Sequence, residues 1–139
     1  MLIADTGFWV ALLSKRDKHH ARASACYTEH RREGFITTWP VITECAWLLA
    51  SRVQPDAAIA FVDALASGGV QIHDITAPNS RQLAALMHQY ISLPMDLADA
   101  SLVLLAEHLG HGRILSTDMR DFGAYRWKNQ PPFTNLMFP

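Results

Sequence analysis

Four acidic residues stand where their side chains could carry out chemistry together. Asp5 and Asp118 each follow a short apolar segment. Glu44 borders the apolar face of a predicted helix, and Asp99 lies in a segment that is apolar on nearly every side. Carboxylates that converge repel one another and raise each other's pKa, which destabilises a fold unless a cation lies between them. We therefore expect a divalent cation wherever the fold brings the four together.

The donor set indicates which cation and which reaction. Hard oxygen ligands with no Cys or His among them favour Mg²⁺ or Mn²⁺ over Zn²⁺. One or two such ions can convert a bound water into hydroxide and hold both oxygens of an in-line phosphodiester displacement, so no side-chain nucleophile is required. Thr6, Ser116 and Thr117 are candidates to hydrogen-bond a water or a phosphate beside the ligands.

Each acid also has a purely structural interpretation. Asp5 and Asp118 can cap a helix or stabilise a turn, and Glu44 can extend its carboxylate into water. Asp96 is a natural cap for a helix that begins at Leu97, and the helix dipole then favours Asp99 in the first turn. The cap explains Asp96 well. It explains Asp99 less well, because small alanines flank that residue and its helical neighbours point inward.

The elements that must position these acids alternate along the chain. Apolar and β-branched segments predict strands at 1–4, 35–39, 70–75, 114–117 and 133–138. Helical spacing of apolar residues, with Pro and Gly at the ends, predicts helices near 8–13, 21–33, 40–52, 55–65, 78–90 and 97–109. This alternation predicts one α/β domain over residues 1–139, with a mainly parallel sheet covered on both faces. Ligands of such sheets bind at the carboxyl ends of the strands, where Asp5 and Asp118 should both emerge.

Composition excludes several classes of protein. Half of the 139 residues are hydrophobic and 18% are charged, which is typical of a folded domain rather than a disordered chain. Its apolar stretches are all shorter than the roughly 20 residues of a membrane span, and Asp5 interrupts the apolar start as no secretory signal would. We expect a cytosolic protein without membrane contact. With four acids bound to metal, the remaining charge would be slightly positive and would tolerate a polyanion.

Together the motifs resemble those of a PIN domain, in particular the small VapC-type toxins of bacterial and archaeal toxin–antitoxin pairs. The resemblance covers nearly the whole chain, in the order Asp5-Thr6, Glu44, Asp96-Leu97-Ala98-Asp99-Ala100 and Ser116-Thr117-Asp118-Met119-Arg120-Asp121-Phe122. It implies a three-layer α/β/α sandwich with four to five strands. It also implies a Mg²⁺- or Mn²⁺-dependent endoribonuclease, usually restrained by a cognate antitoxin.

The same resemblance assigns roles to individual residues. Asp5, Glu44, Asp99 and Asp118 match the acidic quartet that is both catalytic and metal-ligating, and Asp96 matches an accessory acid. The position of Asp118 is Asn or Asp in many members of the family, so the resemblance supports its ligand role least. The complete quartet favours an active enzyme. The alternative is a non-catalytic module that keeps the fold and binds RNA or a protein.

Basic and apolar residues suggest partners. Arg120, Arg126 and Lys128 lie in or after the last acidic motif and could contact RNA, while Trp127 could stack on a base or simply pack in the core. Large apolar residues exceed what a small core obviously requires, so part of the apolar surface could serve a homodimer or a groove for an antitoxin helix. Core packing alone could also absorb them.

Two other enzyme or signalling classes share part of this pattern. Asp5-Thr6-Gly7 spells the aspartic-protease triplet, but that class needs two triplets in a mostly β chain. A phosphoacceptor receiver domain also places carboxylates at the ends of parallel strands. It would need paired acids after the first strand and a lysine after the last, which this sequence lacks.

Overall fold

Five parallel strands form a single sheet in the order β3-β2-β1-β4-β5. The computed structural model describes residues 1–139, without the side chain of Asn129. The strands are β1 (Leu2–Ala4), β2 (Phe35–Thr38), β3 (Val70–His73), β4 (Arg113–Leu115) and β5 (Thr134–Asn135). The predicted α/β class with four to five mainly parallel strands is confirmed, and the mostly β architecture of an aspartic protease is excluded.

Seven α-helices connect and cover the strands. They are α1 (Thr6–Leu13), α2 (His20–His30), α3 (Trp39–Arg52), α4 (Pro55–Ala64), α5 (Ser80–Gln89), α6 (Leu97–Leu109) and α7 (Met119–Ala124). The longest, α3, has 14 residues, and within the described part of the chain no helix is both long and apolar enough to cross a membrane.

The helices form a layer on each face of the sheet. Helix α1 packs against α2 and α3, and α3 packs against α4, which gives one layer. Helix α5 packs against α6. Connections between parallel strands of one sheet are right-handed as a rule. Because the chain moves across the sheet from β1 to β3 and then back from β3 to β4, this rule places α5 and α6 on the opposite face from α1 to α4. The result is the expected three-layer α/β/α sandwich.

Burial explains why the central elements are so apolar. Every residue of β1 and β2 is buried, as expected for strands covered on both faces. Eight of the 13 residues of α6 are buried, so this helix is the central element of its layer. Both α1 and α6 begin at the carboxyl edge of the sheet, and each begins at an aspartate.

The elements differ from the sequence prediction mainly in shorter strands and one additional helix: β3 ends at His73 rather than at residue 75, and β5 covers only Thr134–Asn135 rather than 133–138. Strand β4 ends at Leu115 rather than reaching Thr117, because the Ser116 hydroxyl accepts a hydrogen bond from Asp118 N–H at 2.9 Å and turns the chain. Helix α7 was not predicted at all. It has only six residues, including Gly123, and so is too short to show a helical period.

Candidate metal centre

Parallel pairing of β1 with β4 brings the first and last acidic motifs together. Ala4 pairs with Leu115, and Asp5 N–H donates to the Leu115 carbonyl at 3.0 Å. The residues that follow each strand therefore leave the sheet side by side. The Ser116 hydroxyl closes this junction by donating to Asp5 Oδ2 at 2.8 Å. Asp5 and Asp118 thus emerge at the same edge of the sheet, as predicted.

Asp5 is a buried carboxylate with a strongly shifted titration. It caps α1, where Oδ1 accepts from Thr6 N–H at 2.7 Å, and it is 6% exposed. Burial raises its pKa to about 7, with smaller upward contributions from the negative charges of Glu44 and Asp118. The bonds from Ser116 and Thr6 lower the pKa but do not offset burial. Asp5 therefore caps α1 and also faces the other acids, so its capping role does not exclude a role in the site.

Asp96 and Asp99 occupy the first turn of α6. Asp96 is the predicted cap, and its Oδ1 accepts from Asp99 N–H at 2.8 Å. Asp99 is half-buried, and its Oδ2 accepts from the Tyr125 hydroxyl at 2.8 Å. The pKa of Asp99 is raised to about 8, mainly by burial and then by the charge of Asp5, while the Tyr125 bond acts in the opposite direction. The shift caused by Asp5 places these two acids in one electrostatic environment.

Glu44 extends from the second turn of α3 toward the same acids. It is half-buried, and its pKa is raised by burial and then by the negative charge of Asp96. The Thr6 hydroxyl lies close enough to Glu44 to lower that pKa. Yet Thr6 Oγ1 is buried and, among the described residues, has no hydrogen-bond partner at ordinary distance. An unpaired buried hydroxyl at this point is suited to a water or a ligand oxygen.

Asp118 caps α7 and binds the backbone of Asp121, an acid that the sequence analysis did not single out. Its Oδ1 accepts from Asp121 N–H at 2.9 Å. The pKa of Asp121 is raised by burial and then by its contact with Asp118, with a further contribution from Asp96. Asp121 therefore belongs to the acidic cluster. The signal was present in the sequence, since Asp118-Met119-Arg120-Asp121 has the cap-to-third-residue spacing of a capping box.

Six acids thus share one edge of the sheet: Asp5, Glu44, Asp96, Asp99, Asp118 and Asp121. They are neighbours rather than a closed cage. Across the described side chains, no three His, Cys, Asp or Glu groups are already gathered tightly enough to hold a metal ion. The acids are all oxygen donors, a chemistry that fits a hard divalent cation. The ligand roles of the quartet remain a prediction.

The basic residues near the site differ in their availability. Arg120 is exposed in the first turn of α7, close enough to Asp121 to lower its pKa. Lys128 is also exposed. The Arg126 guanidinium, in contrast, donates through Nη1 to the carbonyls of Gly123, Ala124 and Tyr125 at 2.9–3.1 Å. It therefore closes the end of α7, and a contact of Arg126 with RNA stays a prediction.

Trp127 and Thr117 both pack against other parts of the protein. Trp127 is partly buried against the core and donates through Nε1 to the Pro132 carbonyl at 3.2 Å. These contacts favour a packing role for Trp127 over stacking on a base. Thr117 lies over α1, where a β-carbon on Gly7 would overlap its hydroxyl oxygen. The absence of a side chain at Gly7 therefore lets the loop before Asp118 approach Asp5.

Comparison with known proteins identifies the family. The family model described as PIN domain matches residues 2–128. The chain belongs to the PIN domain family. Ribonuclease VapC26 of Mycobacterium tuberculosis is 30% identical over 125 residues, which cover 90% of this chain and 92% of the relative.

A solved structure supports the same fold for this PIN domain. The crystal structure of Mycobacterium tuberculosis VapC20, described as a sarcin-ricin loop cleaving toxin, superposes with a TM-score of 0.79. The match covers 86% of this chain and 92% of VapC20, at 22% sequence identity. At that identity the similarity establishes the fold alone.

Proposed function

We propose that this PIN domain is a Mg²⁺- or Mn²⁺-dependent endoribonuclease that hydrolyses RNA phosphodiester bonds in the cytosol, as the toxin of a toxin–antitoxin pair. The observation that carries the proposal is the junction of β1 and β4, where Ser116 bonds both Asp5 and the N–H of Asp118 at one edge of the sheet. Burial raises the pKa of Asp5 and of Asp99 there, and the charges of neighbouring acids add to both shifts. Ribonuclease VapC26, a relative over nearly the full length, supports the choice of reaction.

Each residue has a defined task in this proposal. Asp5, Glu44, Asp99 and Asp118 would hold the ion, with Asp96 as accessory acid. When bound, a divalent cation would supply positive charge for the acids and activate a water for in-line attack. Ser116 fixes Asp5 and the loop before Asp118. The unpaired Thr6 hydroxyl would bind a water or a substrate oxygen at the inner wall of the site.

RNA would approach from the side of α7. Arg120 is exposed there and could contact the phosphates of the RNA backbone. Lys128 is also exposed but lies farther from the acids, since its backbone N–H donates to Glu107 at the opposite end of α6 from Asp99. We expect Arg126 to contribute less to RNA binding, because its guanidinium already bonds three carbonyl groups. We expect R120A and K128A to weaken RNA binding with a reduced dependence on salt, and R126A to act mainly through the stability of α7.

A cleavage assay with the purified chain tests the proposal. The chain is incubated with single-stranded and structured RNA in Mn²⁺, Mg²⁺ or EDTA, beside D5N and D99N. We expect cleavage with the metals and its loss in EDTA and in both variants. Cleavage that survives EDTA or both substitutions would reveal a contaminating enzyme. Binding of RNA without cleavage of any substrate would instead favour the non-catalytic module.

An apolar groove is suited to the proposed antitoxin. It has a volume of about 390 Å³ and lies among α1, α2 and α4. Its walls are formed by Trp9, Leu12, Leu13, Tyr27, Phe61, Ala64, Leu65, Ser67, Gly69 and Val70. An amphipathic helix buries its apolar face in a groove of this kind. The product of the neighbouring reading frame should bind wild type and bind L13E far more weakly, while L13E keeps its ribonuclease activity.

A second exposed apolar surface is suited to the proposed homodimer. Trp47 on α3 is 71% exposed, and Ile59 and Val62 on α4 are 66% and 46% exposed. Trp47 also lines a groove of about 610 Å³ that includes Glu44 and Asp96. A second copy seated on this surface would cover the exposed apolar side chains and border the acids.

A further inference from the structure

Helix α7 links two of the acids, because Asp118 lies at its beginning and the residue at its end, Tyr125, bonds Asp99. Asp118 caps the beginning of α7, and Tyr125 follows its last residue. The Tyr125 hydroxyl donates to Asp99 Oδ2 at 2.8 Å, although the two residues are 26 positions apart. Helix α7 is only six residues long, so Asp118 and Tyr125 are held at a fixed separation. The segment can therefore set the placement of Asp99 relative to Asp118.

Aromatic packing fixes the Tyr125 ring. Its side chain is fully buried, and it meets Tyr90 and Phe122 edge to face, each with a centroid distance of 5.1 Å. Phe122 packs in turn against Phe133 at 5.3 Å. The backbone is held as well, because Tyr125 N–H donates to the Asp121 carbonyl at 2.9 Å. A ring enclosed in this way holds its hydroxyl at one place.

The hydroxyl itself is not needed for packing. Phenylalanine would fill nearly the same volume in this aromatic cluster, whereas the phenol oxygen must find a partner once it is buried. Its partner is one oxygen of Asp99, which leaves Oδ1 outside this bond. An acid whose one oxygen is held by a rigid donor presents the other in a defined direction.

We propose that Tyr125 is a positioning residue, whose hydroxyl holds Oδ2 of Asp99 so that Oδ1 faces the divalent cation. The proposal rests on the proposed metal-dependent function of the acids. It assigns Tyr125 no contact with substrate and no part in proton transfer. Its effect on the reaction would come through the orientation of Asp99 and therefore through the affinity for the ion.

Mn²⁺ binding measured by calorimetry tests this role without relying on activity. Y125F removes only the hydroxyl, and we expect about a 10-fold loss of Mn²⁺ affinity, the usual effect of deleting a partner of a metal ligand. Y90F is the matched control. It removes a hydroxyl from the same aromatic cluster, but that oxygen accepts from Arg126 N–H at 3.0 Å and does not bond an acid. Its Mn²⁺ affinity should equal that of wild type.

A double-mutant cycle with D99N separates positioning from general packing. In the D99N background, Y125F should cause no further loss of Mn²⁺ affinity. Equal losses in Y125F and Y90F, or a full Y125F effect without Asp99, would overturn the positioning role. So would unchanged Mn²⁺ affinity in Y125F while D99N binds weakly, whatever happens to the melting temperature.

The same data distinguish the two proposals. If D99N binds Mn²⁺ as tightly as wild type, Asp99 is not a ligand and the proposed metal centre fails together with the role of Tyr125. If D99N binds weakly and Y125F does not, only the positioning role fails. A crystal structure of Y125F gives a second readout, in which the Asp99 carboxylate should be rotated or should occupy several conformers.

Discussion

Ser116 joins Asp5 to Asp118, because its hydroxyl donates to Asp5 Oδ2 at 2.8 Å and accepts from Asp118 N–H at 2.9 Å. This relationship follows from the topology. Strands β1 and β4 are parallel neighbours, so the residues that follow them meet at one edge. Ser116 is fully buried, and its hydroxyl gives Asp5 a second donor beside Thr6 N–H.

Removal of the Ser116 hydroxyl should shift the pH dependence of the reaction. Its bond lowers the pKa of Asp5, so S116A should raise that pKa above about 7 and keep the acid protonated to higher pH. We expect Mn²⁺-dependent RNA cleavage near neutral pH to fall by about 10-fold and the acidic limb of the pH–rate profile to move upward. S116T retains a hydroxyl and should keep the wild-type limb. An unshifted limb in S116A would show that Ser116 does not act through Asp5.

Stability without metal should decrease as the pH rises. Asp5 and Asp99 have an ordinary pKa of 3.8, which folding raises to about 7 and about 8. The folded chain therefore binds more protons than the unfolded chain across this interval, and the free energy of unfolding falls from about pH 4 to about pH 8. Saturating Mg²⁺ should raise the melting temperature most at the upper end of the interval, where it competes with few protons.

D99N provides the control for this stability profile. The amide cannot ionise, so the metal-free variant should be as stable as wild type or more stable near pH 8, and its melting temperature should depend less on pH. Thermal unfolding at several pH values measures both effects. A clear loss of metal-free stability in D99N near pH 8 would mean that the ionised carboxylate stabilises the fold.

Gly7 should be essential for the approach of the loop before Asp118. A β-carbon at this position would overlap the Thr117 hydroxyl, so G7A must displace Thr117 and the residues beside it. We expect a loss of about 1–3 kcal/mol in the free energy of unfolding and at least about 10-fold in RNA cleavage. G123A is the matched control, since a β-carbon there meets nothing within 4 Å, and it should be neutral or slightly stabilising. Wild-type cleavage by G7A would show that the loop position is unimportant.

The exposed face of α3 and α4 should control oligomeric state. We expect wild type to sediment as a dimer and W47E to sediment as a monomer, because burial of the Trp47 indole would drive association and a charge there would oppose it. Ile91 is similarly exposed, at 68%, but lies after α5, so I91E should leave the dimer intact. A dimer that persists in W47E would assign the interface to another surface.

Local sequence rules explain the part of the site that could be predicted. Asp5 and Asp118 were expected at one edge because strands alternating with helices predict a parallel sheet, whose strands end together. Asp96 was expected as a cap because it precedes an apolar helix by one residue. These inferences use spacing of a few residues. The resemblance to a PIN domain, carried by the order of the motifs, implied the fold, and the family match confirms the family.

Contacts between distant residues explain what the sequence could not show. The bond from Tyr125 to Asp99 spans 26 positions and leaves no periodic pattern. The contacts of Arg126 are local but were missed for a different reason: its guanidinium binds the carbonyls of Gly123, Ala124 and Tyr125 only because the unpredicted α7 ends there. Asp121 is a different case, because its spacing from the cap Asp118 was visible in the sequence but gained meaning only with the unpredicted α7.

The joint binding of one cation by Asp5, Glu44, Asp99 and Asp118 is tested most directly by anomalous diffraction from crystals soaked in Mn²⁺. We expect a manganese peak at coordination distance from oxygens of Asp5 and Asp99, with Glu44 and Asp118 bound directly or through water, and its disappearance in D5N crystals treated in the same way. A peak elsewhere on the chain, or none at a Mn²⁺ concentration that supports RNA cleavage, would contradict the account.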